Sequence, residues 1–215
     1  MFRAHTPRLL QSLLPAYTWR VPTAEPTIYL TFDDGPIPEV TPWVLDTLRA
    51  HGGAKATFFC VGENAERHPD VFQQVLAEGH AVGNHTFNHL NGWHTPTLAY
   101  AHNVRHCARA VPSRLFRPPY GKLLPQQSAW LRRHFQIVMW DVLSGDYDTR
   151  FSPQQCLRHV TDHARPGSIV LMHDSLKAER NLRYVLPAAL QFFGEKGWRV
   201  GMMNDARLRA AHFGG

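Results

Sequence analysis

The stretch Thr27-Ile28-Tyr29-Leu30-Thr31-Phe32-Asp33-Asp34-Gly35-Pro36 decides the fold. Six β-branched, aromatic and aliphatic residues run without a charge, and then two carboxylates and a Gly-Pro pair stop the run. A strand that is apolar on both faces belongs to a sheet covered on both sides, as parallel sheets are. Its polar residues collect at the carboxyl end.

The same pattern repeats outward from this stretch. Strands are predicted over Thr27–Phe32, Ala56–Val61, His80–Gly83, Leu115–Arg117, Gln136–Val142, Ser168–Met172 and Arg199–Met203. Amphipathic stretches between them predict helices. One runs from about Thr41, with Pro42 in its first turn, to near Gly52; the others are Pro69–Glu78, Thr97–Ala110, Pro125–Arg133, Pro153–Ala164 and Leu182–Lys196. Seven strands alternating with six helices specify a parallel sheet with crossover helices. An open doubly wound sheet and a closed, irregular barrel both satisfy that alternation. Residues 1–26 are Pro-rich and read as a lead-in segment, which leaves 27–215 as a single domain.

The polar residues favour the barrel. Asp33-Asp34 ends the first strand, and His85 ends the third with His89 four residues on. Arg117-Pro118-Pro119-Tyr120 follows the fourth, Asp141 and Asp146-Tyr147 the fifth, and His173-Asp174 the sixth. Strand carboxyl ends are where sites form in β/α barrels and open α/β sheets. Five such ends converging on one mouth point to an α/β, distorted (β/α)7 barrel.

Composition narrows the function classes. Apolar residues make up 44% of the chain, which excludes disorder. The net charge is +6, but Lys and Arg are scattered and no recognition-helix pattern occurs, so no nucleic acid is expected as a partner. Cys60, Cys107 and Cys156 are odd in number and form no CxxC pair, which reads as reduced thiols. Leu9 to Ala16 is too short and too broken for a signal peptide, and no run is long enough for a membrane span. A cytoplasmic location is the default expectation, and the sequence does not specify the oligomeric state.

The chemistry follows from residue types. In His85-Thr86-Phe87-Asn88-His89 the i, i+4 spacing predicts two imidazoles on one face of a helical turn. Two imidazoles and a carboxylate suit Zn²⁺ and leave coordination positions open, as in a catalytic site. Amide hydrolysis also needs a base and an acid. The second carboxylate of the Asp33-Asp34 pair is a candidate base, and His173 is a candidate acid with Asp146 available to keep it charged. Arg117 is placed to pair with the base carboxylate. Two His and one Asp also form the facial triad of non-haem iron oxygenases, an alternative that leaves the second Asp without a role. An inactive sugar-binding module on the same fold predicts loss of the base or the acid, yet both are present. A hydrolase of another amide, such as a cyclic imide or ureide, stays open because loops choose the substrate.

Together these motifs resemble the polysaccharide deacetylases of carbohydrate esterase family 4, with their NodB-type homology domain. The resemblance covers Thr27 to about Met203. It is carried, in the family's order, by Thr31-Phe32-Asp33-Asp34-Gly35-Pro36, His85-Thr86-Phe87-Asn88-His89, Arg117-Pro118-Pro119-Tyr120, Asp146-Tyr147 and Leu171-Met172-His173. It implies a distorted barrel of about seven strands and removal of N-acetyl, or O-acetyl, groups from an acetylated sugar polymer or oligomer. It implies Asp33 as base, held by Arg117, and Asp34, His85 and His89 as ligands of a divalent metal, foremost Zn²⁺, with Co²⁺ or another as substitutes. It implies the Tyr120 N–H as an oxyanion donor and His173 as the acid, tuned by Asp146. Leu171 and Tyr147 would line the acetyl-methyl pocket. Tyr147 stands where many members carry Trp. Many members also carry secretion signals or sugar-binding modules, neither of which is read here. Trp43, Trp93, Trp130, Trp140 and Trp198 are expected to pack, with Trp93 able to edge the groove. His80, His94 and His102 are not expected to be ligands, Asp141 reads as a strand-end turn, and Asp174 reads as structural.

Overall fold

The structure, a computed structural model, describes residues 2–203, so the last twelve residues of the expected domain lie outside the described residues. In chain order it contains α1 (Arg8–Leu13), β1 (Thr27–Asp33), α2 (Thr41–Ala50), β2 (Thr57–Cys60), α3 (Gly62–Arg67), α4 (Pro69–Ala77), β3 (Ala81–Asn84), α5 (Thr97–Ala110), β4 (Leu115–Phe116), α6 (Pro125–Leu131), β5 (Gln136–Ile137), β6 (Val142–Leu143), α7 (Pro153–Thr161), β7 (Ile169–His173), α8 (Glu179–Glu195) and β8 (Arg199–Gly201). The sheet order is β5-β4-β3-β2-β1-β7-β6, and every pairing is parallel. β7 lies along one edge of β1, while β8 and β2 follow one another along the other. Among the described residues no helix is long and apolar enough to cross a membrane.

The alternation of β1 builds two cores and aims the site. Ile28, Leu30 and Phe32 face outward into a cluster with Val44, Leu45 and Leu48 of α2 and Val185, Leu186 and Ala189 of α8. Tyr29 faces the other way, into a cluster with Phe59, Leu115, Val138 and Ile169. Successive strand side chains alternate, so Thr31 and Asp33 continue the inward set of Tyr29. Asp33 therefore enters the barrel because of its parity with Tyr29. α2 begins with Pro42 in its first turn, as its sequence predicts, because a proline there loses no hydrogen bond the helix would have made.

Sequence and structure differ at the fifth strand. The expected strand Gln136–Val142 is two short ones, β5 on β4 and β6 on β7. The two halves sit at opposite ends of the sheet order, so residues 138–141 cross the seam where the sheet curls into a barrel. An apolar run reads as one strand because periodicity carries no record of which neighbour each half takes. α1 and α3 were not expected, and both are six residues long. Helices this short lack the repeats that a 3.6-residue periodicity needs to show.

The N-terminal segment straps this seam. Leu143 N–H donates to Ala4 O at 2.8 Å, Thr6 N–H to Asp141 O at 2.9 Å, and Thr18 bonds Ile137 and Met139 at 2.8 Å each. Asp141 is the clasp. Fully buried, it accepts from Arg20, from Gln11 at 3.0 Å and from Ser168 at 2.6 Å, and lies 3.2 Å from His5. It is an ion-pair hub, where the sequence read a strand-end turn. Asp141→Ala leaves Arg20 without its carboxylate and is expected to cost about 2–4 kcal/mol, read from the denaturant midpoint. A loss below about 0.5 kcal/mol would contradict the clasp.

Candidate active site

Three loops at strand carboxyl ends bring the predicted residues together. β1 carries Asp33 inward, and Asp34 then takes a left-handed conformation, φ 83°, that swings its carboxylate to the same mouth. Asp174 holds this corner by accepting from Gly35 N–H at 3.1 Å and from the Thr41 hydroxyl at 2.6 Å. A Cβ on residue 35 would lie 2.0 Å from Asp174 Oδ2, so only glycine fits. Burial pushes the Asp174 carboxyl up to about 8 against those donors.

His85 and His89 meet with ring centroids 5.1 Å apart, but no helical turn joins them. Residues 85–89 form an irregular loop with Thr86 and His89 left-handed, φ 64° and 54°. Thr86 N–H donates to Asn84 Oδ1 at 2.9 Å, and Leu90 N–H to the Thr86 hydroxyl at 3.0 Å. Side chains of the loop and of the strand before it therefore accept the N–H groups that a helix would have used.

Arg117 organises the interior. Its guanidinium is fully buried and donates to Asp33 Oδ1 at 2.7 Å, to the Thr31 hydroxyl at 2.8 Å and to Met139 O at 2.9 Å, over the Phe59 ring. Its own carbonyl bonds His85 Nδ1 at 2.8 Å. That bond leaves His85 Nε2 facing the acid pair, 3.7 Å from Asp33 and 3.8 Å from Asp34. His89 Nε2 lies 3.2 Å from Asp34 Oδ1.

One ligand atom each of Asp34, His85 and His89 lies within 4.8 Å of the others. Burial holds His85 down to about 4, so its imidazole is neutral at pH 7 and able to donate its lone pair. Burial works to raise Asp34, yet the His89 contact and the neighbouring imidazoles outweigh it and hold the carboxyl well below its usual range. A carboxylate and a neutral imidazole, with a second imidazole beside them, are the donors a divalent cation takes. His80, His94 and His102 are not among them.

His173 stands across the mouth. Its Nδ1 bonds Asp146 Oδ1 at 2.8 Å, and its N–H donates to Asp146 Oδ2 at 2.8 Å. Burial alone would lower the imidazole, but Asp146 reverses that and raises it to about 9. These groups share a pocket of about 400 Å³ with Tyr120, Tyr147 and Leu171. Tyr147 meets the His173 ring edge-on at 4.9 Å, and Tyr120 is left-handed at φ 60°. Trp140, Leu143 and Lys177 also line the pocket. The sequence gave no role to Leu143 or Lys177 and placed Trp140 in packing. The split of the fifth strand, invisible as periodicity, is what turns Trp140 and Leu143 to the mouth. All three cysteines are free and buried, as expected.

The profile of the family described as polysaccharide deacetylase matches residues 20–134. A peptidoglycan-N-acetylglucosamine deacetylase of Bacillus cereus is 36% identical over 168 residues, 74% of this chain and 60% of that protein. A chitooligosaccharide deacetylase of Azorhizobium caulinodans is 32% identical over 199 residues, 79% of this chain and 90% of that one. The chain thus spans well under two thirds of the first relative and most of the second. Among solved structures, a peptidoglycan N-acetylglucosamine deacetylase in complex with 4-naphthalen-1-yl-N-oxidanyl-benzamide superposes with a TM-score of 0.81 at 31% identity, covering 92% of this chain and 95% of that one.

Removing a ligand from the cluster is expected to weaken cation binding more than removing an outer partner, which costs about 10–100-fold. In His85→Ala the Zn²⁺ dissociation constant should therefore rise by more than about a hundredfold in calorimetric titration. An unchanged constant would contradict the ligand set.

Proposed function

Because the chain belongs to the polysaccharide deacetylase family, we propose that it hydrolyses N-acetyl groups of an acetylated glycan built on N-acetylglucosamine, in residues 27–215 buttressed by the strap. One observation carries this reading. The Asp33–Arg117 pair and the His173–Asp146 pair stand on opposite sides of the Asp34, His85 and His89 cluster in a single pocket. A divalent cation held by those three residues, Zn²⁺ foremost, would supply Lewis acidity towards the acetyl carbonyl and the attacking water.

The chain's own residues do the rest. Asp33 takes the proton of the attacking water through Oδ2, because Oδ1 is committed to Arg117. The buried guanidinium keeps that carboxylate ionised until it acts. The Tyr120 N–H faces the developing oxyanion, while the N–H groups of Gly121 and Lys122 are spent on Pro118 and Pro119. His173 Nε2 delivers a proton to the leaving nitrogen, since Nδ1 is fixed by Asp146. Leu171 and Tyr147 form a wall that accepts a methyl group and little more. Loss of acid or base would mark an inactive relative, and this chain keeps both. The same groups serve an O-acetyl ester, where the leaving oxygen needs the proton less.

Asp33→Asn should keep cation affinity and lower acetate release by at least about a thousandfold, measured on an N-acetylglucosamine tetramer. Release within about tenfold of wild type would remove Asp33 as base. The acid must be protonated, so kcat/KM should fall as pH rises through about 9. In Asp146→Asn that alkaline limb should move down towards the ordinary histidine value of about 6.5. A limb that stays in place would separate His173 from the acid role. The raised imidazole also stabilises the fold below pH 6.5, and that contribution is lost as pH climbs through about 9.

A further inference from the structure

A second hollow adjoins the site. It has about 660 Å³ and shares Tyr120 and Trp140 with the first, so the two are continuous. One wall belongs to the N-terminal strap, through Leu10, Leu14, Tyr17 and Trp19. The opposite wall carries Trp93, 57% exposed, and Tyr120, 60% exposed. Rings left open to water beside a sugar-processing site are platforms for the apolar faces of pyranose rings.

The charges along this path are all of one sign. Arg132 lines the second hollow, and no ion pair joins it to a carboxylate. The Lys122 ammonium lies 4.9 Å from the centre of the Trp93 ring on the same rim. Lys177 lines the first hollow from the far side, 5.7 Å from the Tyr147 ring. No carboxylate lines the second hollow among the described residues. The acids of the first hollow, Asp33 and Asp34, are taken by Arg117 and the imidazoles. Three unpaired cations thus flank the acetyl position, and a neutral glycan would leave all three facing water.

We propose that this path takes a glycan whose units flanking the acetylated sugar carry carboxylates, with the strap hollow seating one such unit on Trp93 and Tyr120 and Lys122 and Arg132 reading its charge. This rests on the deacetylase reading and names the substrate class within it. Lys177 takes the charge of the unit on the other side. Exposed ion pairs of this kind are individually weak, so selectivity arises from several acting together.

The test uses the full chain and two probes. One is an O-carboxymethylated N-acetylglucosamine tetramer, and the other is its methyl ester, equal in shape and uncharged. Calorimetry with the de-N-acetylated forms of both reads binding without turnover. The acid should bind about tenfold more tightly than the ester at low salt, and the ratio should fall towards one in the double variant Lys122→Gln, Arg132→Gln. Raising ionic strength should collapse the ratio in the wild type as well. Equal affinities for the two probes in the wild type, or a ratio that survives the double substitution, would overturn the proposal. Trp93→Ala should weaken acid and ester alike, which separates the platform from the charge. A wild type that binds the acid selectively yet releases no acetate from the acetylated probes would sink the deacetylase reading and leave this one standing.

Discussion

The buried contact between Arg117 and Asp33 is the constraint on which the site depends. A guanidinium with no exposure to water must find partners for its donors, and it finds them on β1 and in the segment between β5 and β6. One side chain therefore ties the start of the sheet to its seam. The same residue fixes His85 through its backbone carbonyl. Position 117 thus sets the orientation of a carboxylate and of an imidazole at once. Breaking a buried pair of this kind leaves an uncompensated charge, so the site and the barrel interior stand or fall together.

Around that contact the loops are shaped by backbone conformations that side chains ordinarily avoid. Asp34, Thr86, His89 and Tyr120 are all left-handed, and all four belong to the loops that build the mouth. Each is held by packing or hydrogen bonds from outside its own loop. Asp174 grips the corner after Asp34, and Asn103 accepts from the N–H groups of Phe87 and Asn88. Strain placed this way aims the polar atoms inward before any substrate arrives.

Much of this was legible in the sequence, for definite reasons. Carboxyl-end residues announce themselves because an apolar strand cannot hide a charge, so Asp33, His85, Arg117 and His173 stood out. Parity with Tyr29 places Asp33 inside, and that is arithmetic on the strand. Proximity of His85 and His89 was read from a helical spacing, yet the structure achieves it through a left-handed loop whose anchors, Asn84 and Asn103, carry no spacing signal. The division of the fifth strand and the seat of Trp140 depend on which neighbour each half meets across the seam, a long-range choice that periodicity does not encode. The strap was opaque for the same reason. Its bonds to residues 137–143 join positions more than a hundred residues apart, and its Pro-rich composition resembles a linker.

The strap also gives the molecule its asymmetry. It closes the barrel at the one place where strand pairing fails, and it raises a wall beside the mouth. Stability and substrate contact are thereby linked through residues 2–21, with Asp141 as the anchor. The central claim is that one cation, gripped by Asp34, His85 and His89, works between the Asp33 and His173 pairs. Titrating Zn²⁺ into chelator-stripped protein while following acetate release from an N-acetylglucosamine oligomer tests it most directly. The account predicts no release from the stripped protein and a linear rise that levels at about one equivalent, the occupancy a three-ligand catalytic site takes. Undiminished release after stripping, or none at any loading, would contradict it.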